Sequence, residues 1–128
     1  MDETSSGYSA HVGGLKFKKI DDLNYEYYAE VKEMHLNTAK MAHGGYLTFI
    51  ADTGMGNAAH QAAGNKRCVT ISLEMKFISA GKLGDKLIAK VKVQKKTNTL
   101  VFLTCEIANT DGVVAVTSGV WKILKINK

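Results

Sequence analysis

The second half of this chain alternates apolar and polar residues almost without interruption. Over residues 69–78 the apolar set Val69, Ile71, Leu73, Met75 and Phe77 alternates with Thr70, Ser72, Glu74 and Lys76, the two-residue period of a strand with one buried face. Residues 86–96 repeat the pattern, with Leu87, Ala89, Val91 and Val93 set against Lys and Gln. Two further strands, 100–108 and 113–124, are divided by Asp111-Gly112, a strong hairpin signal. Thr97-Asn98-Thr99 forms the other short turn, with Asn98 suited to φ > 0. Earlier, 15–20 and 25–31 read as two strands joined at Asp21-Asp22, while 34–42 has no period and reads as a loop. Residues 44–63 are the one helix, closing at Gly64-Asn65 as a C-cap should. That helix is rich in Ala and Gly (Ala51, Gly54, Gly56, Ala58, Ala59), where a surface helix would carry Glu and Lys, so it is expected to be enclosed. One long helix with one-faced antiparallel strands predicts an α+β fold, an antiparallel β-sheet wrapped around a central helix.

The totals narrow the class. A chain of 128 residues fits one domain, 1–128, with residues 1–14 expected to be a mobile N-terminal segment. No apolar run approaches the ~20 residues of a membrane span, and the polar, acidic start resembles no targeting peptide, so no membrane association and a cytoplasmic location are expected. The net charge of +5 is nearly all lysine, on the solvent phase of strands and with Arg67 the one arginine, so no nucleic-acid partner is expected. A polyanion such as the phosphates of a coenzyme remains compatible with it. Cys68 and Cys105 share no short spacing; Cys105 follows the apolar phase of its strand and reads as a buried small hydrophobe. His11, His35, His43 and His60 make no metal-ligand spacing, so no metal is expected.

The candidate chemistry lies at the start of the helix. Gly44 and Gly45 leave backbone N–H groups there with no Cβ in front of them, so a substrate oxygen can approach the positive end of the helix dipole. Asp52 shares its helix face with Gly45, Thr48, Phe49, Gly56 and Ala59, none of them basic, so no local ion pair explains it. It reads as a general base or nucleophile, or as an acid hydrogen-bonded within a subunit interface. At ~1.5 Å rise per residue it stands about 10 Å along the axis from Gly45, whereas a catalytic group must lie about 3 Å from the reacting atom. One helix cannot bring both ends to one carbonyl; a two-fold pair of antiparallel helices can, which predicts sites shared between subunits. His43 reads as a positioning residue that fixes the turn. Asn37 reads as turn chemistry or as an amide that orients water or a carbonyl. Thr70, on the opposite strand phase from Val69 and Ile71, reads as solvent-facing, and Trp121 as a core or interface anchor.

With these residues placed, the chain resembles the hotdog-fold acyl-CoA thioesterases of the phenylacetic-acid-degradation (PaaI-like) group. The resemblance rests on Asn37, His43-Gly44-Gly45, the helical Ile50-Ala51-Asp52, the turn Ser79-Ala80-Gly81-Lys82-Leu83-Gly84-Asp85 and the closing Gly119-Val120-Trp121-Lys122, and it extends from about Val12 onward. It implies a hotdog fold in homodimers that share active sites and commonly pair into tetramers. It also implies an acyl-CoA substrate with no cofactor beyond the coenzyme A of that substrate. Gly44 and Gly45 match the positions that polarise the thioester carbonyl, Asp52 the nucleophile or general base, and Asn37 a residue that positions water or substrate. His43 matches one that supports the site, and Thr70 falls near a hydroxyl that helps hold the attacking water. Lys40 stands where relatives often carry Gly, so the loop either takes another path or turns Lys40 toward the pantetheine or phosphates. A hotdog enoyl-CoA hydratase and a non-catalytic acyl-CoA binding protein are the alternative readings.

Overall fold

A computed structural model of the chain describes residues 2–4 and 6–125. Its main element is one antiparallel sheet of seven strands: β1 (Asp2–Thr4), β2 (Leu15–Lys19), β3 (Asn24–Glu30), β4 (Cys68–Phe77), β5 (Lys86–Lys96), β6 (Leu100–Asn109) and β7 (Gly112–Ile123), in the spatial order β1-β2-β3-β5-β6-β7-β4. A one-turn helix, α1 (Tyr8–His11), precedes β2, and the long helix α2 (Gly44–Ala62) lies against the inner face of the sheet. The expected mobile segment 1–14 thus carries a strand and a helical turn in its described part, while residues 1 and 5 lie outside the described residues.

The alternation has a direct cause in the sheet. On β5, Leu87, Ala89, Val91 and Val93 are buried while the intervening residues face solvent. On β6, Val101, Leu103, Cys105 and Ile107 do the same. These side chains meet Ile50, Met55, Ala58 and Ala59 of α2 in a single core. No residue of α2 from Tyr46 to Ala62 is fully exposed, which is why its sequence lacks the charged stripe of a surface helix. Its glycines permit the close packing: a Cβ on Gly54 would stand 3.1 Å from the Tyr27 ring, and one on Gly56 would stand 3.2 Å from Nε1 of Trp121. Burial also keeps the cysteines inert, pushing the Cys105 thiol up to about 12 and raising that of Cys68.

The turns follow side-chain chemistry. Asp21 Oδ1 accepts from the backbone N–H groups of Leu23 and Asn24, and Asn109 Oδ1 accepts from those of Asp111 and Gly112. Helix α2 ends with Gly64 and Asn65 both at positive φ (70° and 65°). One turn corrects the expectation. Asn98 does not adopt φ > 0; instead Thr97 Oγ1 accepts from the N–H groups of Thr99 and Leu100 and closes the connection itself. The aperiodic 34–42 stretch holds a 3-10 turn (Glu33–His35) and a Leu36–Ala42 bridge.

Strand β4 departs most from its pattern. Its register with β7 slips between Thr70 and Ser72, leaving Ile71 as the extra residue of a bulge. Before the bulge Thr70 pairs with the inward Trp121; after it Leu73 and Met75 pair with Gly119 and Thr117 on the same inner side. The bulge therefore reverses which residues face the helix. β4 is also an edge strand, and it leaves Ile71 and Phe77 more than half exposed.

Candidate active site

The loop that enters α2 is built around Asn37. Its Oδ1 accepts from the N–H groups of Ala39 (2.9 Å) and Met41 (3.0 Å), and its backbone pairs with Met41 and Lys40. This tight excursion is tied outward as well, because the Ala42 N–H donates to the Gly81 carbonyl at 2.8 Å. Lys40 sits at φ 64°, the left-handed region that costs an L-residue about 1–2 kcal/mol. The loop thus makes the turn that glycine makes most easily, with lysine in its place. With Oδ1 held by the loop, the Asn37 side-chain NH2 makes no hydrogen bond among the described residues.

His43 is the N-cap of α2. Its backbone is extended (φ −63°, ψ 138°), its N–H donates to the His35 carbonyl, and its Nδ1 accepts from the Gly45 N–H at 2.7 Å. Nδ1 therefore carries no proton and Nε2 does. This contact corrects the expectation of a paired donor set: the Gly45 N–H is taken by the cap, and a Cβ there would meet the His43 ring at 2.8 Å. Gly44 is different. Its N–H has no partner among the described residues, and its carbonyl accepts from Thr48 Oγ1 at 2.8 Å.

Gly44 and Asn37 open onto one groove of about 320 Å³, walled by Phe77 and the 78–81 segment. Phe77 lies directly over Gly44, its ring 3.4 Å from where a Cβ would be, a van der Waals contact that closes that side of the groove. The strand pattern predicted Phe77 as an inward core residue; no signal in the sequence marked it as a cover for the helix start.

Asp52 is half-buried and makes no ion pair among the described residues. Its Oδ1 accepts from Thr70 Oγ1 at 2.8 Å. Thr70 was expected to face solvent and is exposed, and the bulge at Ile71 puts it on the side of the strand from which its hydroxyl reaches Asp52. The chain therefore brings Asn37, His43 and Gly44 together at the start of α2, and Asp52 with Thr70 about 12 Å along it, at ~1.5 Å per residue. It does not bring the two groups together. Among the described residues no three His, Cys, Asp or Glu side chains converge as metal ligands, and no helix is long and apolar enough to cross a membrane.

Comparison with known proteins places this arrangement. Residues 39–116 match the model of the thioesterase superfamily. The Pseudomonas aeruginosa protein named "Putative esterase PA0474" is 31% identical over 94 residues, covering 73% of this chain and 70% of that protein. Among solved structures, the Escherichia coli PaaI protein from the phenylacetic acid degradation operon superposes with a TM-score of 0.82 at 22% identity, covering 93% of this chain and 85% of PaaI. The smu.793 protein of Streptococcus mutans, solved with acetyl-CoA bound, superposes with a TM-score of 0.81 at 21% identity, covering 89% and 91%. This chain and the two solved structures share the hotdog fold.

Proposed function

The chain belongs to the thioesterase superfamily, and we propose that it hydrolyses an acyl-CoA thioester to the free acid and coenzyme A. The observation that carries this reading is the Gly44 N–H: a donor at a helix N-terminus with no partner among the described residues, opening onto a groove beside the equally free side-chain NH2 of Asn37. A donor so placed stabilises the oxyanion that forms when a thioester carbonyl is attacked, and losing one typically costs about 3–4 kcal/mol of transition-state stabilisation. The helix dipole favours the same charge.

Asp52 is the general base of the reaction. Thr70 Oγ1 commits its hydrogen to Asp52 Oδ1, so Oδ2 and the Thr70 lone pairs remain as two acceptors side by side. That is a seat for one water, whose hydrogens both point inward while its oxygen faces the thioester carbon. Asp52 takes one proton as the C–O bond forms; collapse of the oxyanion breaks the C–S bond, and Asp52 returns that proton to the departing thiolate, which regenerates the carboxylate. His43 acts through the helix start, and Gly45 serves the cap rather than the substrate.

Because the donor and the acid lie far apart in one chain, the site is completed by a second copy. The exposed apolar edge of β4, an open ladder that folded proteins normally cover, supports pairing there, and two-fold symmetry would bring each Asp52–Thr70 pair to its partner's Gly44. Pairing of such dimers into tetramers and an intracellular location belong to the same proposal.

Thiol release from short, long and aromatic acyl-CoAs tests the reading, with Asp52→Asn in parallel. Release that is lost in a folded Asp52→Asn variant is the expected outcome. No release from any acyl-CoA, or water addition to an enoyl-CoA without thiol release, would replace hydrolysis with a binding or hydratase function.

A further inference from the structure

A second cavity, of about 490 Å³, lies on the other side of the helix start. It is bounded by the 12–16 segment, by β3 and β5, and by Tyr46 in the first turn of α2. Its floor is apolar, made by the buried side chains of Leu15, Tyr46 and Leu87. Its rim carries Lys16, Lys32 and Lys86 and, among the described residues, one acid, Glu30, which pairs with Lys86 at 3.6 Å. Lys32 has no acidic partner among the described residues, and Lys16 stands opposite Glu3 in the β1–β2 register.

Among the described residues, the uncharged polar side chains of this cavity are accounted for, save one. His35 is buried with both ring nitrogens engaged, Nδ1 accepting from the Lys32 N–H at 2.9 Å and Nε2 donating to the Val12 carbonyl at 2.7 Å. The Tyr28 hydroxyl donates to Glu26. Tyr46 is 6% exposed, its ring stacked on His35 at 3.6 Å, and its hydroxyl has no hydrogen-bond partner among the described residues. Burial pushes that phenol up to about 12, so it remains a donor at any physiological pH. The hydroxyl is reached by solvent rather than sealed in, so it lines a cavity of ligand size as a donor open to an occupant that accepts its hydrogen.

We propose that this cavity binds a small organic carboxylate with an apolar body, its carboxylate accepting from Tyr46 Oη and facing Lys16 and Lys32, its apolar part on Leu15 and Leu87. Nothing in the hydrolytic site takes part. The occupant would still bear on that site, since His35 stacks on Tyr46 and its carbonyl holds the His43 N–H at 2.7 Å, ahead of Gly44.

Titration of the full chain with octanoate and with benzoate, followed by backbone amide NMR, tests the site, with octanamide and benzamide as neutral counterparts. Amide shifts are expected in residues 12–16, 28–32 and 86–88, with the carboxylates binding at least about tenfold tighter than the amides, in line with a hydrogen bond to a charged group. Tyr46→Phe, which keeps the ring and its stacking, should weaken binding about tenfold, and Lys16→Ala with Lys32→Ala should weaken it further. Shifts confined to 41–44 and 77–81 would assign the carboxylate to the hydrolytic groove and overturn the proposal. Equal binding of amide and carboxylate, or unchanged affinity in Tyr46→Phe, would overturn it as well. Thiol release is read separately, so a failed titration leaves the hydrolytic reading standing, and an inactive chain leaves this one.

Discussion

Lys40 and Thr70 show what single residues add to the frame. Lys40 occupies a left-handed position at φ 64°, in the loop that presents Asn37. Lys40→Gly removes the Cβ strain and adds the backbone entropy of glycine, so a net gain of roughly 0.5–1 kcal/mol in unfolding free energy is expected by urea denaturation. A loss would mean that the lysine makes a compensating contact. Thr70→Val keeps the shape and removes the hydroxyl from Asp52. A hydrogen bond to a charged group is worth about 1.5–3 kcal/mol, so kcat for thiol release should fall roughly tenfold to a hundredfold with little change in KM. Both positions were visible in the sequence only through a resemblance. Strict alternation puts Thr70 in solvent, because a bulge has no reliable signature in a run of apolar and polar residues, and the φ of Lys40 is set by the hydrogen bonds that Asn37 collects around it.

At the level of elements, periodicity carried most of the information. Strands β5, β6 and β7 and helix α2 lie within a residue or two of where the alternation and the caps put them, since each buries one regular face in a common core. What alternation could not supply was the neighbour of each face: β4 carries a good inward pattern yet leaves Phe77 over the helix start and Ile71 in the open. The 78–85 connection that walls the groove is pinned by Asp85, whose Oδ2 accepts from the Lys82 N–H at 2.8 Å and from Asn109 Nδ2 at 3.0 Å. The Lys82 N–H first, then Asn109, holds this carboxyl below its ordinary value. A carboxyl lowered by folding adds stability above its unfolded pKa near 4, and that stability is lost as pH falls through the folded value. Asn109→Ala should therefore be less stable than the native chain at about pH 7, with the difference shrinking at about pH 3. Urea unfolding of both proteins at the two pH values measures it; a constant difference would show that Asn109 acts through its cap of the Asp111-Gly112 turn and not through Asp85.

For the molecule as a whole, distance along one helix is the decisive quantity. The spacing from Gly44 to Asp52 can be read in the sequence, and the structure adds which N–H remains free and which hydroxyl holds the acid. The proposed second copy would leave no mark in a single chain beyond the apolar edge of β4, because an interface and a core use the same residue types. A donor-deficient variant is available without loss of the helix. Gly44 is the first helical residue, a position that tolerates proline, His43 already has the extended backbone a proline requires before it, and a Cβ would only touch Phe77 at 3.4 Å. Gly44→Pro removes the N–H and should lower kcat about 10²–10³-fold.

Thiol release from an equal mixture of Gly44→Pro and Asp52→Asn chains, unfolded together and refolded, tests the shared site most directly. Random pairing leaves one intact site in each mixed dimer, so activity should return to about a quarter of the native value although each variant alone is inactive or nearly so. Mixed dimers that form and stay inactive would contradict a site made from the Gly44 of one chain and the Asp52 of the other.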